Sequence, residues 1–408
     1  MTISKEDLDK VNNHWAIKAI GEEDFSRASE VRKARLIRNS IGSEINLEFN
    51  HNSSDERLLQ RIEMAYEFVI QEGINALLHP SQDNTNLQKQ ARAGAFLAYD
   101  YAIVQKLPDD FQGKIYAILR LIGIAYVGDR WADMRRWLKE LDGDMLMLNI
   151  DKEKWDNRIL LCLFECWYKL IRKKDWDDVD RIRDLIADLR KEQLQYEENF
   201  LDEEDESVRF FNAYRLISLY HWAKATELLA VYILHGQPNT VLSELDKHFE
   251  AAVKAAKETR DVLLEMILYW LHIAAKQMIL GSLWWNFQTI NSRVTKFVNH
   301  VTKAQSMFEL LPPQRAALQE QGLLDTANRA VIVNLPTSGG KTALAQFRIL
   351  LALNQFADDG GWVAYAAPTR ALVTQITRRL KRDFSPIGIE VAQLTGAIEI
   401  DGFEEALL

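Results

Sequence analysis

The chain is short of several things, and each shortage removes a class of protein. It has two cysteines, Cys162 and Cys166, in 408 residues. Four apart in an apolar stretch and without nearby histidines, they suit neither a disulfide framework nor a complete zinc site, and they read as buried thiols of a reducing cytoplasm. The eight histidines are scattered with no His-x-x-x-His pair, so metal chemistry has no support from them. Positive charge is also lacking. A formal net charge of -9 excludes a nucleic-acid binder driven by overall charge, and any basic groove must be local. Long apolar runs are missing too: residues 222 to 236 and 262 to 285 are broken by Lys224, Glu227, Glu265, His272 and Lys276. The N-terminus, MTISKEDLDKVNNHW, lacks the apolar core of a signal peptide. No membrane partner is expected, and the expected location is cytoplasmic.

Proline and glycine are scarce in one part of the chain only. Pro80, Pro108 and Pro238 are the only prolines among the first 311 residues, and residues 1 to 320 hold 10 glycines against 8 in the remaining 88. Such a stretch, rich in Leu, Ala, Glu, Lys and Arg, predicts helix after helix. Val179, Ile182, Ile186 and Leu189 recur at helical spacing with Asp and Arg between them, as in a surface helix, whereas 159 to 171 is apolar on most sides. Candidate helices fall near 85–105, 111–126, 130–141, 155–172, 176–196, 207–235, 240–258, 261–281 and 283–309, with Gly236 and Pro238 as a clear stop. Paired helices with short connections suit a hairpin array or an irregular bundle, and no clean 34-residue repeat decides between them. Ten of the eleven tryptophans precede residue 300. They read as large aromatics filling a helical core rather than as base-stacking platforms. The acidic run from Leu201 to Glu206 reads as an exposed loop or helix start, where carboxylates are favourable.

From about Leu310 the pattern becomes α/β. Pro312 and Pro313 open a helix. Ala330 to Val333 then read as the heart of a strand over 330–335, and Leu344, Phe347, Leu350, Leu351 and Leu353 mark a helix running to about Phe356. Between them stands Asn334-Leu335-Pro336-Thr337-Ser338-Gly339-Gly340-Lys341-Thr342. Strand, glycine turn and helix in that order are the context of a phosphate-binding loop. Gly339 and Gly340 let backbone N–H groups curl around a phosphate chain at a helix N-terminus; Lys341 reaches the terminal phosphates and the Thr342 hydroxyl can ligate Mg²⁺. The strict pattern asks for glycine where Leu335 stands. A second strand, Trp362 to Ala367, ends at Pro368-Thr369-Arg370, a helix follows from Ala371 to Phe384, and a third strand, Ile389 to Leu394, runs into Thr395-Gly396. A strand end presenting Thr369 and Arg370 at a helix start suits the phosphates of a single strand, while Arg378, Arg379, Lys381 and Arg382 read as a solvated helix face. The fold class is therefore mainly α: a large helical hairpin array or bundle over 1–304, then an incomplete α/β P-loop domain over 305–408.

These motifs resemble those of superfamily 2 helicases. PTSGGKT is similar to motif I of the Ski-like branch, which includes the HelQ and polymerase-theta helicase domains, and Ala367 to Gln375 resembles motif Ia. Gln393 to Gly396 looks like the Thr-Gly element of motif Ib, and Gln314, 27 residues before Lys341, stands where such helicases place an adenine-reading glutamine. The resemblance covers about 305 to 408 and implies that this α/β P-loop domain is RecA-like. It implies an ATP-dependent helicase or translocase that holds ATP and Mg²⁺ with Gln314, Pro336, Thr337, Ser338, Gly339, Gly340, Lys341 and Thr342. It implies single-stranded nucleic acid, DNA by expectation, against Pro368, Thr369, Arg370, Thr395 and Gly396. Such a motor needs an Asp-Glu box and an arginine from a second motor domain, and neither occurs before Leu408. The expectation is the N-terminal portion of a longer helicase, without hydrolysis by this chain alone. The alternative is a helical interaction scaffold with a vestigial loop. By analogy with bacterial defence helicases, the helical region is also expected to recruit a protein partner such as a nuclease.

Overall fold

The computed structural model describes residues 3–41, 53–140, 154–287, 292–325, 327–328, 330–335, 339–356 and 360–394. The chain divides into two compact units, Met1–Ser282 and Leu283–Leu408.

The first unit is built of α1 (Lys5–Asn12), α2 (Trp15–Lys18), α3 (Glu22–Ile41), α4 (Ser53–Glu72), α5 (Ile74–Leu78), α6 (Thr85–Ala102), α7 (Phe111–Val127), α8 (Trp131–Glu140), α9 (Trp155–Arg172), α10 (Trp176–Leu201), α11 (Glu206–His235), α12 (Val241–Glu258) and α13 (Val262–Gly281). Carboxylate caps set several starts. Asp110 accepts from the Gly113 N–H at 2.7 Å, Asp175 from Asp178 at 2.8 Å, Asp205 from Ser207 at 2.8 Å and Asp261 from Leu264 at 3.0 Å. Gly236 ends α11 in the left-handed region at φ 69, which a residue without Cβ adopts freely. From α6 to α13 the observed helices follow the expected ones closely.

Helices α9 to α13 pack each on the next, as in an array, and α13 also lies on α7, far earlier in the chain. Gly123 permits that crossing, because a Cβ there would stand 2.6 Å from the Trp270 Cβ. The unit thus combines array order with bundle closure. By length and composition alone α13 could cross a membrane, yet 67% of its apolar window is buried within the protein. Trp155, Trp167, Trp222 and Trp270 are fully buried, in keeping with a core role. Trp167 donates to Thr226 Oγ1 at 3.1 Å and Trp155 to the Tyr220 hydroxyl at 2.8 Å.

The second unit holds α14 (Leu283–Phe287), α15 (Ser292–Gln305), α16 (Pro312–Gln319), α17 (Lys341–Gln355) and α18 (Arg370–Phe384), followed by a 3₁₀ turn at Ser385–Ile387. The segment read from sequence as one helix over 283–309 is two helices, and both fall in this unit rather than the first. Its core is aromatic: Phe347 stacks on Phe287 at 3.8 Å and meets Phe297 edge-on at 5.5 Å, and Phe297 reaches Phe384 at 5.6 Å.

The three expected strands need correction. Residues 330–335, 361–367 and 389–394 lie outside helices, but no strand forms among the described residues. Ile332 is 95% exposed, and Trp362, Tyr365 and Leu394 are also exposed. β-Branched and aromatic runs express a preference for a pleated, half-buried surface, and without a paired neighbour that preference yields no ladder.

Candidate nucleotide loop and strand-binding helix

Pro312 enters α16 at its first turn, where its missing N–H costs nothing, and Gln314 turns back so that its carbonyl oxygen accepts from the Leu311 N–H at 2.9 Å. The other end of that amide points away from its own helix. Nε2 of Gln314 donates to the Gly340 carbonyl at 3.2 Å, and the side chain is buried. Gln314 and the phosphate loop, separate in sequence, are therefore in contact.

Gly340 sits at φ 73 as the N-cap of α17. A Cβ at this position would displace the end of the Gln314 side chain, and the backbone conformation itself favours glycine. Gly339 is buried, Lys341 is exposed and Thr342 is half-buried at the helix start. The Lys341 ammonium donates to the Leu335 carbonyl at 2.9 Å. Pro336, Thr337 and Ser338 lie outside the described residues. The residues present fit a nucleoside triphosphate. A left-handed glycine, a lysine, a hydroxyl beside it and the positive end of a 15-residue helix are groups that could hold an anion, with the hydroxyl able to ligate Mg²⁺.

The loop is braced from behind. Leu344 packs with Ala317 and Leu323, and Val333 and Leu335 lie against that cluster. One turn further, the Arg348 guanidinium donates to the carbonyls of Leu323, Asp325 and Asn328, each at 3.1 Å. Sequence reading missed this clamp, because its acceptors are main-chain groups that carry no residue signature.

Helix α18 begins at the Pro368-Thr369-Arg370 element. The Thr369 Oγ1 accepts from the Leu372 N–H at 3.3 Å, and its own O–H remains a donor. Pro368, Thr369 and Arg370 are exposed. No hydrogen bond joins them to the phosphate loop among the described residues. The two helices are instead tied through Asp383, fully buried, which accepts from Gln346 of α17 and from Gln305 of α15, each at 2.7 Å. Arg382 also donates to Asp383 at 2.7 Å, while Arg378, Arg379, Lys381 and Arg382 are all exposed, as a solvated face would be. Gln393 leans on Thr374 of α18 at 3.4 Å, and Thr395 and Gly396 lie outside the described residues.

Residues 312–406 match the family model described as DEAD/DEAH box helicase. Over 80 residues the chain is 31% identical to activating signal cointegrator 1 complex subunit 3 of Danio rerio, covering 18% of this chain and 5% of that protein. It is 30% identical over 79 residues to the DExH-box ATP-dependent RNA helicase DExH14 of Arabidopsis thaliana, covering 18% and 4%, and 30% identical over 105 residues to Hachiman protein HamB of Bacillus cereus, covering 26% and 9%. The chain spans less than a tenth of the length of these relatives. The C-terminal stretch is thus similar in sequence to part of superfamily 2 helicases.

Proposed function

We propose that the second unit is the nucleotide-binding start of an ATP-dependent superfamily 2 nucleic-acid motor, of the Ski-like branch. The observation that carries this reading is the contact of Gln314 with Gly340. The matched stretch opens by bringing the residue suited to reading a base against the turn suited to holding phosphates. In this reading Pro336 to Gly340 cradle the phosphate chain, Lys341 neutralises its terminal charge and Thr342 ligates Mg²⁺. Bound ATP supplies the phosphoryl transfer that drives movement. Pro368, Thr369 and Arg370, with Thr395 and Gly396, hold the sugar-phosphate backbone of a single strand without reading its bases. Gln314 would exchange its bond to Gly340 for the adenine edge. One relative is by name an ATP-dependent RNA helicase, whereas the sequence expectation is DNA, so a test needs both nucleic acids.

The test uses the full-length protein. Single-strand-stimulated ATP turnover should vanish in Lys341→Ala. In Arg370→Ala, strand affinity should fall with a salt dependence shallower by about one phosphate contact. Undiminished turnover in Lys341→Ala would end this reading.

A scaffold reading is favoured by one observation. Both groups meant for the nucleotide, the Gln314 amide and the Lys341 ammonium, are satisfied by the loop's own carbonyls. A loop closed on itself in this way would show no saturable uptake of Mg-ATP. In either reading the helical unit recruits a protein partner, and a bacterial-defence setting is the part of the proposal that rests on analogy.

A further inference from the structure

Helix α11 opens on a surface that water should not favour. Val208, Phe210 and Phe211 are exposed, Phe210 at 46%. The Phe210 ring lies 4.5 Å from Tyr214 and 6.0 Å, edge-on, from Phe211. Val262 and Leu263 at the head of α13 are exposed as well, and Arg215 of α11 pairs with Asp261 just before them, fixing that turn beside α11. Between the start of α11 and the end of α12 is a cavity of about 440 Å³ lined by Phe210, Phe211, Glu206, Lys257, Glu258 and Arg260. It is an open depression rather than an enclosed pocket.

The rim is acidic. Asp202, Glu203, Glu204, Asp205 and Glu206 run into the cavity wall and all are exposed. Lys257 and Arg260 line the cavity opposite Glu206 and Glu258; Lys257 is engaged with Glu265 at 3.6 Å and stands over the Tyr269 ring, and the run from Asp202 to Asp205 leaves the carboxylates in excess. An apolar aromatic cluster edged by carboxylates marks a protein interface, with its core in the aromatics and its steering in the charge.

We propose that this surface docks a basic amphipathic segment of a partner protein, with an aromatic or branched aliphatic side chain in the cavity and Lys or Arg against Asp202 to Glu206. The charge selects among occupants. A second copy docking through the same patch would set the five carboxylates against themselves, and nucleic acid would be repelled by them. This proposal deepens the reading of the helical unit as a recruiting region. Its test does not involve the nucleotide loop, so the two can fail separately.

The experiment is fluorescence anisotropy of the whole chain with three dye-labelled synthetic peptides. One is helix-forming with a Leu/Phe face and a Lys face, one has Glu for every Lys, and one keeps the Lys residues but has Ser for Leu and Phe. Saturable binding of the first peptide alone is expected, weakened at least tenfold by Phe210→Ser with Phe211→Ser. The separate variant Asp202→Asn with Glu203→Gln and Glu204→Gln should weaken binding mainly at low salt. Circular dichroism reports whether each variant is folded, and the second changes only exposed side chains. The proposal is overturned by equal binding of the first and third peptides, by binding indifferent to both variants, by no saturable binding, or by dimerisation of the chain that the phenylalanine variant abolishes.

Discussion

The side-chain amide of Gln314 bridges two main-chain groups: it accepts from Leu311 N at 2.9 Å and donates to Gly340 O at 3.2 Å. A helix start and a phosphate loop are thus fastened by one buried side chain. Gln314→Ala should remove both bonds and loosen the loop, lowering thermal stability by about 1–2 kcal/mol. Gln314→Glu keeps the acceptor for Leu311 but loses the donor to Gly340, and should weaken binding of ATP more than it weakens binding of inorganic triphosphate. Calorimetric titration with the two ligands checks this.

Gly340→Ala places a methyl group against the Gln314 amide at a backbone angle that disfavours any side chain. The amide nitrogen would have to leave the Gly340 carbonyl. Mg-ATP affinity should fall at least tenfold, and adding Gln314→Ala should restore part of the loss by removing the clash while leaving the backbone strain. Equal losses in the single and double variants would show that Gln314 exerts no steric control.

In the helical unit, Gly123→Ala should destabilise by about 1–3 kcal/mol, because the new Cβ falls 2.6 Å from the Trp270 Cβ at the crossing of α7 and α13. Urea unfolding followed by tryptophan fluorescence measures it.

Glu63 supplies a pH dependence. Burial pushes its carboxyl up to about 7 against the pull of Arg120, which bonds it at 2.6 Å, and neighbouring Glu67 adds to the push. Because the folded value lies above the unfolded one, the native state keeps a proton that the unfolded chain gives up. The contribution is present below about pH 4.5 and is lost as pH rises through about 7. Unfolding free energy should fall with rising pH across that window by an amount on the order of 3 kcal/mol, and Glu63→Gln should flatten the slope.

Much of the fold was legible because helices announce themselves locally. Asp205 and Gly236 bracket α11 where acidic start and glycine stop were read, and the buried tryptophans follow from residue type. The strands were not legible in the same way. Val331 and Ile332 have the right chemistry for a strand, but a ladder depends on a partner elsewhere in the chain, which no local pattern encodes. The loop glycines and Lys341 were readable from spacing. The grip of Arg348 on three carbonyls and the tie of Gln346 to Asp383 were not, since both depend on how helices meet.

The central claim, that Gly339 to Thr342 form a working nucleotide receptor, is tested most directly by equilibrium dialysis of this chain with Mg-ATP, wild type beside Lys341→Ala. The account predicts saturable binding at one site, weakened at least tenfold by the substitution. Absence of saturable binding to the wild type, or equal binding by the two proteins, would contradict it.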